Sequence, residues 1–388
     1  MISPIGAEPF TVSIPDSELE DLRERLAKTR WPLEAKAAPW TYGASLAYMK
    51  DICAYWKDSY DWRKEEAFIN KFPNYKVTLG GKKVHFLVEK GSGPNPMPII
   101  MTHGWPGSFI EFLDVIEPLA HPERFGGKEE DAFTVVVPSL PGYGFSEAPD
   151  VPILPREVGN LWNELMTRVL GFESYVAQGG DWGGIVTSWM GLDHGKALKA
   201  IHLNICGFIP KVTDTNPLNT DEQKWMDAYS ARRERETAYH LIHGTKPQTL
   251  SYGLQDSPSG CAAWILEKFH GWTTPGENIK ELPFDKDHLL SNVMMYWLNG
   301  SNAPTWFYCS IILNATGRQP PEGQRVEIPT GFLLFPKDIA MPPPDAWLQR
   351  SYANIVQRHD APSGGHFAAF ENGDLFVKDV QSFFRQYR

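Results

Sequence analysis

The chain is poor in the features that mark several protein classes. It has four cysteines, Cys53, Cys206, Cys261 and Cys309, and no Cys-x-x-Cys pair. Neither a disulfide framework nor a cysteine-based zinc site is therefore expected. No apolar run approaches the roughly 18 residues that a membrane helix needs. The opening Met1-Ile2-Ser3-Pro4 lacks a basic stretch followed by an apolar one, so a secretory signal is not expected. Location is read as soluble and cytoplasmic. Basic residues are outnumbered, 37 Lys and Arg against 47 Asp and Glu, for a formal net charge of −10. They form no long run, and Arg232-Arg233-Glu234-Arg235-Glu236 mixes signs. Phosphate recognition needs a concentrated positive face, so a nucleic-acid partner is not expected. Internal repeats and low-complexity tracts are missing too. The remainder, 42% hydrophobic and 22% charged, describes a globular chain with a sizeable core. Its fourteen tryptophans go mostly to that core, with some left to line an aromatic pocket.

Periodicity organises the chain. Leu19, Leu22 and Leu26 recur at helical spacing, predicting a helix over 16–30 that Trp31-Pro32 ends. From there to about 70 the pattern is mixed and no chemistry stands out. Val77, Leu79, Val84, Phe86 and Val88 alternate around Gly80-Gly81, the pattern of a β-hairpin. Short apolar strands at 98–101, 133–137, 175–177 and 198–205 then alternate with helical stretches. Ser108 and Glu111 read as a capping box ahead of Phe109, Phe112, Leu113 and Ile116. Helices are predicted over 156–170, stopping at Gly171, and over 182–192. Between about 210 and 325 the alternation fails and the chain is mainly helical. Strand character returns at 331–335 and near Ile355-Val356, before a last helix bearing Leu375, Phe376, Val380, Phe383 and Phe384. The fold class is α/β: a mostly parallel sheet flanked by helices. Residues 1–73 are expected to wrap the core, 74–209 and 326–388 to form it, and 210–325 to be an inserted helical cap.

The sharpest local signal is Gly179-Gly180-Asp181-Trp182-Gly183-Gly184, between a strand and a helix. It is a Gly-x-nucleophile-x-Gly elbow with Asp181 as the nucleophile. The bland alternative is a Gly-rich turn in which Asp181 caps the helix. A serine nucleophile has no comparable place. Gly144-Phe145-Ser146-Glu147-Ala148 comes closest and lacks the second glycine. An aspartate is already ionised at pH 7 and needs no base to attack. It suits displacement at an sp³ carbon and leaves an alkyl ester, which activated water must then hydrolyse. Among eleven histidines, His366 has the required setting, in the loop Ser363-Gly364-Gly365-His366-Phe367 between the last strand and the last helix. His103, in His103-Gly104-Trp105-Pro106, reads as either structural or adjacent to the site. Asp338, just beyond the 331–335 strand, is the favoured partner for His366, with Asp360 as its rival. The order Asp181, Asp338, His366 is nucleophile, acid, histidine.

These motifs together resemble the microsomal-type epoxide hydrolases, over nearly the whole length. Pro9-Phe10 to Trp31-Pro32 looks like that family's N-terminal segment and His103-Gly104-Trp105-Pro106 like its His-Gly-x-Pro motif. Gly180-Asp181-Trp182-Gly183 and Gly364-Gly365-His366-Phe367 look like its elbow and histidine loop. The resemblance implies an α/β-hydrolase fold and two cap tyrosines that donate to the epoxide oxygen. They match Tyr239 and Tyr308, with Tyr252 and Tyr296 as rivals. It also implies that the backbone N–H groups of Trp105 and Trp182 hold the oxyanion of ester hydrolysis. The implied partners are a small apolar epoxide and water, with no metal or organic cofactor. Many family members carry an N-terminal membrane anchor that is not seen here, so membrane residence is not carried over. The same triad would serve a haloalkane dehalogenase, and a non-catalytic protein binding an apolar ligand is the third reading.

Overall fold

The computed structural model describes residues 2–273, 282 and 284–388; the part of the expected cap at 274–281 and 283 lies outside the described residues. The strands are β1 (Ala7–Phe10), β2 (Asn74–Leu79), β3 (Lys82–Glu89), β4 (Met97–Thr102), β5 (Phe133–Pro138), β6 (Tyr175–Gly179), β7 (Leu198–Leu203), β8 (Thr330–Leu334) and β9 (Ile355–Asp360). They form one sheet in the order β1-β2-β3-β5-β4-β6-β7-β8-β9. The first three ladders are antiparallel and the other five parallel. Strands β5, β6 and β8 are buried along their whole length, as a sheet covered on both faces requires. The β2–β3 hairpin turns at Gly80 and Gly81, whose φ angles of 56° and 79° are those of a two-residue hairpin loop.

Around the sheet lie α4 (Leu113–Ala120), α5 (Pro155–Glu164), α6 (Asp181–Asp193), α13 (Asp345–Gln349), α14 (Ala368–Glu371) and α15 (Gly373–Phe384). The helix predicted over 156–170 is α5 continued by a π-helical turn, Leu165–Val169. Between β7 and β8 the chain leaves the sheet for α7 (Thr220–Glu236), α8 (Ala238–Thr245), α9 (Pro247–Asp256), α10 (Pro258–Gly271), α11 (Lys286–Asn299) and α12 (Trp306–Leu313). These helices form the inserted cap.

The N-terminal part holds more structure than its pattern announced. Strand β1 was not anticipated, because it is four residues long and contains Pro9. It pairs with β2 at the sheet edge, where a proline's missing N–H is tolerated. Helix α1 (Asp16–Ala27) ends three residues before the predicted limit. Helices α2 (Leu46–Asp58) and α3 (Trp62–Ile69) follow. The first buries Met49, Ile52, Cys53 and Trp56, at helical spacing that its tryptophans and tyrosines had obscured. This segment is tied to the cap. Tyr55 Oη donates to Asp287 at 2.7 Å, and Arg25 Nη1 donates to the Asp256 carboxylate at 3.0 Å. Ser291 Oγ donates to Glu65 at 2.8 Å and lies 2.9 Å from Tyr60 Oη. Among the described residues no helix is long and apolar enough to cross a membrane.

Candidate active site

Strand β6 ends at Gly179 and α6 begins at Asp181, so the chain reverses direction within two residues. Asp181 takes φ 47°, a left-handed conformation that costs a non-glycine residue on the order of 1–3 kcal/mol. Gly183 makes the turn possible. A Cβ there would sit 1.8 Å from the Thr102 carbonyl oxygen on β4, so helix and sheet could not close. Gly183→Ala is expected to lower stability by about 1–3 kcal/mol, the usual cost of overpacking, read as a lower urea midpoint at unchanged slope. A midpoint equal to the parent's would show that the elbow has slack.

The turn presents the Asp181 carboxylate at the N-terminus of α6, where backbone N–H groups and the helix dipole favour an anion. Oδ1 accepts the Trp105 N–H at 2.8 Å, and Oδ2 lies 3.3 Å from His366 Nε2. On its other side, His366 Nδ1 is 2.8 Å from Asp338 Oδ1. Asp338 follows β8, is buried, and also accepts the Ala340 N–H at 2.8 Å. Burial would raise the Asp181 pKa. The hydrogen bond and charge of His366 and the N–H groups of Trp105 and Trp182 outweigh it and hold the carboxyl below its ordinary value. Burial likewise disfavours charge on His366, but Asp338 and Asp181 together keep its pKa well above the ordinary imidazole value. Each group thus favours the charged form of the other.

The cap brings the phenols. Tyr239 on α8 and Tyr308 on α12 line the same pocket as Asp181 and His366. The Tyr239 ring stacks on Trp105 at 4.8 Å, and Tyr308 meets Trp182 edge-on at 4.8 Å. Burial first, then the charge of Asp181, raises the Tyr239 pKa; burial, Tyr239 and Asp181 do the same for Tyr308. Both shifts favour the protonated phenol at neutral pH. The rival residues lie elsewhere. Tyr252 is 72% exposed, and Tyr296 Oη donates to the Gly107 carbonyl at 2.6 Å. Asp360 is exposed at the end of β9 and pairs with Arg358 at 3.0 Å. His103 is buried, with Nε2 accepting the Leu140 N–H at 3.2 Å, an architectural bond that braces the loop of Trp105.

Several residues at the site carried no sequence signal for it. Glu111 was read as half of a capping box, and its carboxylate does accept from the Ser108 backbone. It also lines a small cavity with Asp181 and His366. Burial pushes its pKa up to about 8, with help from Asp181 and opposition from His366. His240, Arg233 and Arg318 face the cap side of the pocket. The buried His243 packs edge-on against Trp105 at 4.7 Å, and burial holds it neutral with a pKa near 3. Among the described residues no group of His, Cys, Asp and Glu could hold a metal ion.

Comparison with known proteins identifies the family. Residues 7–112 match the model of the epoxide hydrolase N terminus, and residues 97–248 that of the alpha/beta hydrolase fold. A putative epoxide hydrolase of Stigmatella aurantiaca is 40% identical, over 99% of this chain and 86% of its own. Epoxide hydrolase 1 of Sus scrofa is 33% identical, over 97% of this chain and 88% of its own. The solved structure of Aspergillus niger epoxide hydrolase superposes with a TM-score of 0.82 at 29% identity, covering 99% of this chain and 97% of that one. The chain belongs to the epoxide hydrolase family, enzymes built on the α/β-hydrolase fold.

Proposed function

We propose that the protein converts an epoxide to a vicinal diol through an alkyl ester on Asp181. The observation that carries this reading is the division of labour at that carboxylate. Oδ1 is held by the Trp105 N–H, Oδ2, 3.3 Å from His366 Nε2, is the oxygen that attacks, and two phenols from the cap line the same pocket. Attack by Oδ2 forms a C–O bond as the epoxide C–O bond breaks. The oxygen that leaves develops negative charge and takes a proton from Tyr239 or Tyr308. Preorganised donors at that point stabilise the transition state.

Esterification then changes His366. The Asp181 charge helps hold its proton, and an ester has no charge, so the imidazole becomes a base. The proton balance closes if the proton His366 sheds restores the phenol that protonated the alkoxide. Neutral His366, oriented by Asp338, takes a proton from water in the cavity beside Glu111. The hydroxide adds to the ester carbonyl, whose oxygen rests on the N–H groups of Trp105 and Trp182. Collapse breaks the acyl C–O bond, the departing alkoxide takes the His366 proton, and the Asp181 carboxyl passes the proton left from the hydroxide to His366, restoring the ion pair.

A single turnover in ¹⁸O-water tests the ester. With enzyme in excess, the first diol should carry no label, its new oxygen coming from Asp181, and the label should appear in the Asp181 peptide. Label in the first diol would mean direct attack by water and would end this mechanism. Halide displacement is a second reading on one observation: the buried Trp182 indole N–H has no protein hydrogen-bond partner among the described residues and could hold a leaving halide. Halide release from an alkyl chloride without diol formation from any epoxide would select it.

A further inference from the structure

Two guanidinium groups line the pocket that holds the nucleophile. Arg233 comes from α7 and Arg318 from the helical turn Ala315–Arg318 that follows α12. Arg233 Nη1 donates to the Tyr229 hydroxyl at 3.1 Å, and Arg318 Nε makes a long 3.4 Å contact with the Gly207 carbonyl. Among the described residues neither forms an ion pair with a carboxylate. Among the other partly covered arginines, Arg25, Arg63, Arg350 and Arg358 pair with carboxylates, whereas Arg232 donates to the Lys337 carbonyl instead. In a chain with a net charge of −10, two cations without carboxylate partners in one pocket offer an anion a place to bind.

The charge count says which kind of anion. Asp181 contributes one negative charge, His366 and Asp338 cancel while the imidazole is protonated, and the two arginines contribute two positive charges. His240, also in the pocket, stays neutral, since burial and then Arg233 and Arg318 push its pKa down to about 4. The balance of one positive charge is neutralised by a single carboxylate. A guanidinium fork suits a planar carboxylate. Ile185, Ile205 and Ile339 supply apolar wall for the carbon skeleton of such a molecule.

We infer that the natural substrate is an epoxide bearing a carboxylate, which Arg233 and Arg318 bind while the oxirane lies against Asp181, Tyr239 and Tyr308. This rests on the reading of the site as an epoxide hydrolase and names the substrate class it selects. The competing role for the arginines is a field on the phenols, because Arg233 acts against burial at Tyr239. A field effect would slow acidic and neutral epoxides alike. Recognition of a carboxylate changes their ratio, chiefly through KM.

The test compares 4-(oxiran-2-yl)benzoate with its methyl ester. Wild-type kcat/KM should favour the acid by about tenfold or more, as one charge-assisted contact supplies. Added salt should shrink that preference. Arg233→Met, Arg318→Met and the double variant should move the ratio towards one, with Arg→Lys retaining part of it. A wild-type ratio at or below one, or a ratio unmoved in the double variant, overturns the inference. Calorimetry on the two corresponding diols covers failure of turnover. Tighter binding of the acid diol, lost in the arginine variants, would keep the carboxylate site even if the epoxide reading fell. Equal binding of both diols would remove the site.

Discussion

His366→Gln is expected to stop turnover after one chemical step and leave the enzyme alkylated. Exposed to styrene oxide, the variant should gain the whole mass of one epoxide, and peptide mapping should place it on Asp181. Steady-state diol production should fall by about 10²–10⁴, the usual contribution of a general base. The same substitution predicts a pH effect on alkylation. His366 lowers the Asp181 pKa, so removing it raises that pKa. The carboxylate then protonates at a higher pH, and the acid limb of alkylation should move upward. Rapid diol release by His366→Gln would remove the histidine from the hydrolytic step. An unmodified protein after exposure to both epoxide and alkyl chloride would remove Asp181 as the nucleophile.

The second large effect is on ring opening. Tyr239→Phe and Tyr308→Phe should each slow ester formation by about 10²–10³, the cost of removing one oxyanion donor. The double variant should be slower than either but not by the product, because the two phenols act on one oxygen. Ester hydrolysis comes after their work is done, so its rate in single-turnover experiments should change little. Each substitution deletes only a hydroxyl, and the rings keep their contacts with Trp105 and Trp182. Thermal stability should therefore stay close to the parent's. Since burial raises both phenol pKa values, alkylation should hold level through pH 10, where an ordinary tyrosine would begin to ionise. A double variant that forms ester within tenfold of wild type would put the electrophilic assistance elsewhere.

Residues at strand ends were legible because backbone constraints mark them. The glycines around Asp181 report a crossing too tight for side chains, and Asp338 and His366 sit at loop positions defined by the strands before them. The structure places these three within hydrogen-bonding range in a row. Tyr239 and Tyr308 were named by the family resemblance alone, because helical periodicity reports which residues are buried and not what they face. Arg233 shows the same limit: within Arg232-Arg233-Glu234-Arg235-Glu236 it looks like part of a solvated, sign-mixed helix surface. Glu111 was hidden differently, since its capping bond is real and explains the residue without the cavity. The α/β alternation needed only local patterns, whereas β1 draws its strand character from a partner 64 residues or more away, as in the pairing of Phe10 with Asn74.

The ties between the N-terminal helices and the cap are unevenly placed. Arg25, Tyr55, Tyr60 and Glu65 fasten α9 and α11, while Tyr239 and Tyr308 ride on α8 and α12. The anchorage that keeps the cap seated is thus separate from the surface that meets the substrate. Selection can act on the two independently. A lineage can exchange pocket residues on α8 and α12 and drift towards new epoxides while inheriting the same fastening, so substrate range can diversify without a renewed search for a closed cap.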